Sequence, residues 1–189
     1  MWHHKVKKQY SKSEPITIKE AIVCANVGAL INRKIEINRD SVLNYFVSSL
    51  KKLPVNVNFY KGKIYCNQTY IPNRSIKYSR INISDLLSFA ESDTSTFLIP
   101  MINYDYVTLR NTYITSTGAF GGGGFSKSLN LELGIIIIKN KKLIYFKSRV
   151  YVASGVNVNH YLEPVNLITQ EHFDTLVQLT MKDYINRMK

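Results

Sequence analysis

The chain has 189 residues, of which 45% are hydrophobic and 12% aromatic, and its formal net charge at pH 7 is +12. This length suits one domain that buries about 70% of its unfolded surface, and the composition excludes a mainly disordered chain. The charge favours nucleic acid, anionic lipid or an acidic protein face as partner, although scattered lysines also simply keep a domain soluble.

The N-terminal residues 1–13 are polar and basic and have no apolar period, which predicts a mobile arm ahead of a single α/β domain at 14–189. No apolar stretch reaches the roughly 20 residues of a membrane span, and no apolar signal-peptide region follows the charged start. The sequence therefore predicts a cytoplasmic protein if this start is authentic. If this start instead omits an export signal or a lipid anchor, membrane association is expected.

The first half of the domain predicts alternating strands and helices from the period of its apolar residues. In chain order these are a strand at 16–24, a helix from Asn38 or Asp40 that Pro54 stops, a half-buried strand at 55–59 that turns at 61–63, and a short helix at 84–90. A long strand region follows at 96–115. The Pro100 inside that region favours a strand start or an edge position, because proline cannot donate to a ladder.

The second half predicts an antiparallel hairpin over 128–153. Leu129, Leu131 and Leu133 alternate on the side expected to face the core, and Asn140-Lys141 forms the turn. Thr169 caps a final helix. The fold class is thus α/β in the α+β sense, with a mixed β-sheet and a long antiparallel C-terminal hairpin packed by about three helices.

A glycine cluster precedes this hairpin, and we interpret it as a loop that binds a partner. The cluster consists of Phe120, Gly121, Gly122, Gly123, Gly124 and Phe125. A phosphate-binding loop would need glycine directly before Lys-Ser/Thr and a helix after it, and neither is present. Two interpretations remain. The loop is either an adaptable segment whose phenylalanines contact a partner, or a solvated hairpin tip.

Residues for catalysis or metal binding are few, and the sequence predicts neither an enzyme nor a bound cofactor. His3 and His4 lie in the arm, and His172 falls in the first turn of the last helix, usually a solvated position. Asp105 could be one member of an acid/base pair, and so could Glu132, but each is more often the solvent-facing residue of an alternating strand. No metal-ligand spacing accompanies the two cysteines, which are expected as buried free thiols. The cysteines are Cys24 and Cys66, which could also pair in an oxidising compartment, and the remaining histidine is His160, in a loop beside Tyr161.

Nucleic-acid binding is the main alternative function, and its support is charge and tyrosine content. The segment Tyr70–Arg80 interleaves basic and aromatic residues that could combine phosphate contacts with base stacking. No helix-turn-helix, zinc-finger or RNP-like motif accompanies it. An enzyme without a recognisable motif is the second alternative.

The run Phe97-Leu-Ile-Pro-Met-Ile-Asn-Tyr-Asp-Tyr-Val, the glycine-rich insert and the hairpin Leu129–Ser148 resemble domains of bacterial envelope lipoproteins. Those domains are similar to the TolB N-terminal domain and the periplasmic domain of the curli secretion-channel lipoprotein. The resemblance covers about residues 96–189 and, more loosely, the helix after Asp40. It departs at Cys24, which has no lipobox before it and lies within a predicted strand.

The resemblance implies a non-catalytic, envelope-associated assembly or scaffold protein in the periplasm or at the outer membrane. Such a domain binds other proteins or copies of itself and has no catalytic residues to carry over. We therefore expect a protein partner or a homo-oligomer, with nucleic acid as the alternative partner.

Overall fold

The computed structural model describes residues 12–18, 20–27, 39–59, 64–65, 95–110, 113–114, 120–121, 125–158 and 168–188. Within these ranges the elements are β1 (Ile16–Ile18), β2 (Ala21–Val27), α1 (Arg39–Lys51), β3 (Val57–Phe59), β4 (Ile64–Tyr65), β5 (Thr96–Arg110), β6 (Tyr113–Ile114), β7 (Phe120–Gly121), β8 (Phe125–Lys139), β9 (Lys142–Val158) and α2 (Gln170–Arg187). The predicted helix at 84–90 lies outside the described residues.

The strand β5 is the centre of a mixed sheet. On one side it pairs in parallel with β1 and then β2, and on the other it pairs antiparallel with β8 along its whole length. The strand β9 pairs antiparallel with β8, while β3 and β4 lie in parallel outside β1 and β2. This arrangement confirms the predicted α+β class with an antiparallel C-terminal half. The predicted turn at 61–63 lies outside the described residues.

The position of Pro100 corrects the expectation of an edge strand or a strand start. Pro100 lies within the central strand, opposite Ile135 of β8. On the other side of β5, β1 pairs only up to Leu98 and β2 begins pairing at Met101. Pro100, which has no N–H to donate, therefore lies at the gap between the hydrogen-bonded ladders of β1 and β2. This gap allows a proline in a central strand.

The hairpin of β8 and β9 confirms the prediction for 128–153. Leu129, Leu131 and Leu133 are all completely buried, and Lys139 pairs with Lys142 across the turn. Asn140 and Lys141 both have positive φ, 47° and 58°. Positive φ at both central residues is the signature of the type I′ turn, whose twist matches that of the flanking strands.

Lys141 offers a direct test of this turn, because a side chain at positive φ is strained. We expect Lys141→Gly to raise the free energy of unfolding by about 0.5–1 kcal/mol, since glycine adopts this conformation without a Cβ penalty. Urea unfolding at pH 7 measures the change. Lys142→Gly, one residue on and inside β9, is the matched control and should destabilise instead. Loss of stability in both variants would contradict the type I′ assignment.

Both helices pack on the same face of the sheet and form the main core with it. The largest fully buried side chains there include Phe46 of α1, Phe173 of α2 and Leu131 of β8. The helix α1 ends before Pro54, and α2 begins after Thr169, as predicted. The other face carries a smaller buried cluster, which comprises Phe97, Ile99, Met101, Ile136 and Ile138.

A polar junction fixes the start of α2 against α1. The Gln170 Nε2 donates to the Ser49 Oγ at 2.7 Å and to the Tyr45 carbonyl at 3.0 Å. Nearby, the Lys52 ammonium lies 2.6 Å from Asp174. The hydrogen bond from Lys52 is the main reason that the pKa of Asp174 lies below its ordinary value. These contacts set the register of the two helices.

The first described residues are tied to the sheet through Glu14. Its carboxylate accepts hydrogen bonds from the Thr96 hydroxyl and the Lys139 ammonium, both at 2.7 Å. Burial acts to raise the pKa of Glu14, but these two donors hold it below the ordinary value. Glu14 thus connects the entry to β1 with the start of β5 and the end of β8. Of the predicted arm, residues 1–11 lie outside the described part, and Lys12 and Ser13 are exposed.

Candidate protein-binding surface

The predicted partner-binding loop is only partly described. Phe120 and Gly121 form β7, which pairs antiparallel with Tyr113 and Ile114 of β6. Phe125 is the first residue of β8 and lies opposite Arg110. Gly122, Gly123 and Gly124 lie outside the described residues. The loop interpretation therefore remains a prediction.

The carboxylate Glu132 is buried, which corrects the expectation of a solvated outward position. It is only 5% exposed and lies opposite Asn103 of β5, which is 8% exposed. Strand alternation correctly separates the two faces of β8, but both faces of this strand are covered. Asp105 lies opposite Asn130 in the same ladder. Several residues singled out from the sequence lie outside the described residues: the whole segment Tyr70–Arg80, His3, His4, Cys66 and His160.

The imidazole of His172 is half-buried rather than solvated. Its Nδ1 accepts a hydrogen bond from the Thr169 N–H at 3.1 Å, which satisfies one of the free backbone donors at the start of α2. Its ring lies 4.9 Å from that of Tyr151 in β9. Burial lowers the pKa of His172, against a smaller opposing effect of Glu171. The contacts give His172 a structural role in joining α2 to the hairpin.

This role predicts a pH dependence between about pH 7 and 5. A protonated Nδ1 cannot accept the bond from Thr169, and the folded pKa lies below the ordinary 6.5. The unfolded state therefore binds more protons than the folded state between these pH values. The contribution of His172 to the free energy of unfolding is fully present above pH 6.5 and decreases as the pH falls below it. His172→Gln keeps an acceptor but does not titrate. We expect urea unfolding at pH 7.5 and 5.5 to show a smaller loss for this variant; equal losses would contradict the proposed bond.

Two valines of β9 form the most exposed apolar feature among the large described side chains. Val150 is 56% exposed and Val152 is 61% exposed, and we name them the valine patch. They lie opposite Glu132 and Asn130 of β8. The β8 leucines that face the helices lie opposite other residues of β9, so the valine patch faces away from both helices. The sequence shows this alternation but does not indicate which face of β9 the helices cover.

Basic side chains lie on the helix side of the same strand. Lys147 forms an ion pair with Asp183 of α2. The charges of Arg149 and Arg187 also act on Asp183, and together with Lys147, the first cause, they hold its pKa below the ordinary value. We name Lys147, Arg149 and Arg187 the cationic rim. These three positive charges act on one carboxylate, so among the described residues this part of β9 carries more positive than negative charge.

The hairpin behind these residues is held firmly to α2. The Tyr145 hydroxyl donates to the Thr180 carbonyl, and the Tyr145 and Tyr184 rings meet edge to face at 5.4 Å. Burial, with a smaller contribution from Asp183, raises the pKa of Tyr145 to about 12. The hydroxyl therefore stays protonated and available as a donor throughout the physiological pH range. The valine patch and the cationic rim accordingly lie on a well-supported strand.

Other kinds of site find less support in the part of the chain that can be described. There, no three His, Cys, Asp or Glu side chains lie close enough to hold a metal ion. Neither α1 nor α2 is long and apolar enough to span a bilayer.

Comparison with known proteins gives distant structural likenesses. No family model and no curated protein matches the chain. The "putative neuraminyllactose-binding hemagglutinin homolog" from Helicobacter pylori is 10% identical with a TM-score of 0.34, over 96% of this chain and 87% of that one. A hypothetical protein from Chlamydia trachomatis is 11% identical with a TM-score of 0.29, over 90% of this chain and 93% of that one. At these TM-scores neither likeness carries an argument about function.

Proposed function

We propose that this protein is a non-catalytic, envelope-associated assembly module that binds another protein. The observation that carries the proposal is the valine patch, whose two side chains remain more than half exposed on a firmly held strand. Exposed apolar residues that adjoin each other in this way mark binding surfaces more often than isolated ones do. The pattern resemblance to envelope lipoprotein domains supports the envelope location and the scaffold role.

The test compares partner capture by three forms of the full chain. The double variant Val150→Ser/Val152→Ser removes the apolar surface and places no new charge opposite the buried Glu132. Leu179→Ser is the matched control, because Leu179 is 50% exposed on α2 but belongs to no such pair. After chemical cross-linking in the cell of origin, we expect the wild type and the control to retain a shared partner that the double variant loses.

Thermal unfolding is the folding control for this comparison. All three forms should show similar thermal transitions, since the substituted residues are exposed. An unchanged set of cross-linked proteins in the double variant would refute a binding role for the valine patch. Cell fractionation tests the location separately: recovery only from the cytosol would refute the envelope assignment.

A further inference from the structure

We propose that the outer edge of β9 accepts an extended, acidic segment of the partner as an additional strand. This inference rests on the proposed function and names the class of partner. Among the described residues, β9 spans 17 residues and β8 is the only strand that pairs with it. A strand in this position presents backbone N–H and C=O groups that another chain can pair with, which is a common mode of peptide recognition.

The two faces of β9 define the sequence pattern that an added strand would need. Side chains of neighbouring strands meet on the same face, and successive residues alternate between faces. On one face the added strand would meet Val150 and Val152, so apolar residues fit there. On the other face it would meet exposed Arg149, which shares that face of β9 with Lys147, so acidic residues fit there. The expected segment therefore alternates apolar and acidic residues.

Charge complementarity selects this occupant over a second copy of the chain. The cationic rim carries three positive charges around Asp183, and the whole chain has a net charge of +12. Pairing of two β9 edges would bring like charges together, which disfavours a homodimer through this edge. Nucleic acid would satisfy the cations through its phosphates, but it would use neither the backbone edge nor the two valines.

The experiment measures binding of synthetic peptides to the full chain. The test peptide alternates valine and glutamate. One control has the same composition with the valines and glutamates in separate blocks, and a second is the test peptide with N-methyl groups on alternate backbone nitrogens, which removes the donors for strand pairing. We expect both controls to bind at least about tenfold more weakly, which corresponds to about 1.4 kcal/mol. Amide hydrogen exchange should slow at residues 148–152 when the test peptide binds.

A charge exchange tests the orientation of the added strand. Arg149→Glu should weaken binding of the test peptide about tenfold and improve binding of a peptide that alternates valine and lysine. Equal affinity for the alternating, block and N-methylated peptides would overturn the inference, because charge attraction alone would then explain binding. It would also be overturned by a DNA duplex that displaces the peptide, or by a dimer in sedimentation whose β9 edge is already protected.

Failure of this inference can be distinguished from failure of the proposed function. If the cross-linked partner depends on the valine patch but no alternating peptide binds, the protein-binding role stands and strand addition is wrong. If neither the partner nor the peptide depends on Val150 and Val152, both proposals are wrong.

Discussion

Replacing Leu131 with aspartate is expected to lower the free energy of unfolding by about 4 kcal/mol, the range for a charge placed without a partner in a core. Leu131 is completely buried in the middle of β8, between the sheet and the helices. Urea unfolding monitored by circular dichroism gives the free energy directly. A loss of this size leaves a domain of ordinary stability only marginally folded.

The matched control is Val152→Asp. It introduces the same carboxylate at an exposed position of β9, the strand next to β8. Here the carboxylate stays hydrated, so we expect a loss of about 1 kcal/mol or less. Equal losses in the two variants would mean that β8 does not present Leu131 to the core. The pair therefore tests the burial of the hairpin separately from its tolerance of aspartate.

The second large effect is expected for Phe173→Ala, which should cost about 3–5 kcal/mol through lost burial and the cavity that remains. The ring is completely buried at the start of α2 and stacks on Tyr45 of α1, with centroids 6.1 Å apart. Leu179→Ala is the control on the same helix, and it should be nearly neutral because Leu179 is half exposed. Equal melting temperatures for the two variants would mean that α2 does not close the core.

Elements with strong local signals could be predicted from the sequence. Alternating leucines and an Asn-Lys turn define the hairpin, because the period of two and the left-handed turn residues are properties of neighbouring positions. The same holds for α2, whose Thr169 cap and apolar stripe lie within one stretch of chain. Pro54 likewise places the end of α1 correctly to within a few residues.

Features set by distant parts of the chain could not be predicted in this way. The central position of Pro100 depends on a break between β1 and β2, which are remote from it in sequence. The burial of Glu132 depends on the second face of β8 being covered. The valine patch depends on which face of β9 receives α2. Alternation separates the faces of a strand, but it does not identify the covered one.

The pairing of β1 with β5 has a consequence for synthesis of the chain. Ile16 pairs with Thr96, whereas β8 pairs with β9 directly across a two-residue turn. Contacts between distant residues form slowly because a long loop must close first, and domains fold from the N terminus as they leave the ribosome. The apolar strands β1 and β2 therefore emerge well before β5 can pair with them. During that interval their apolar side chains cannot be buried against β5, so this part of the chain is the most exposed to aggregation during synthesis.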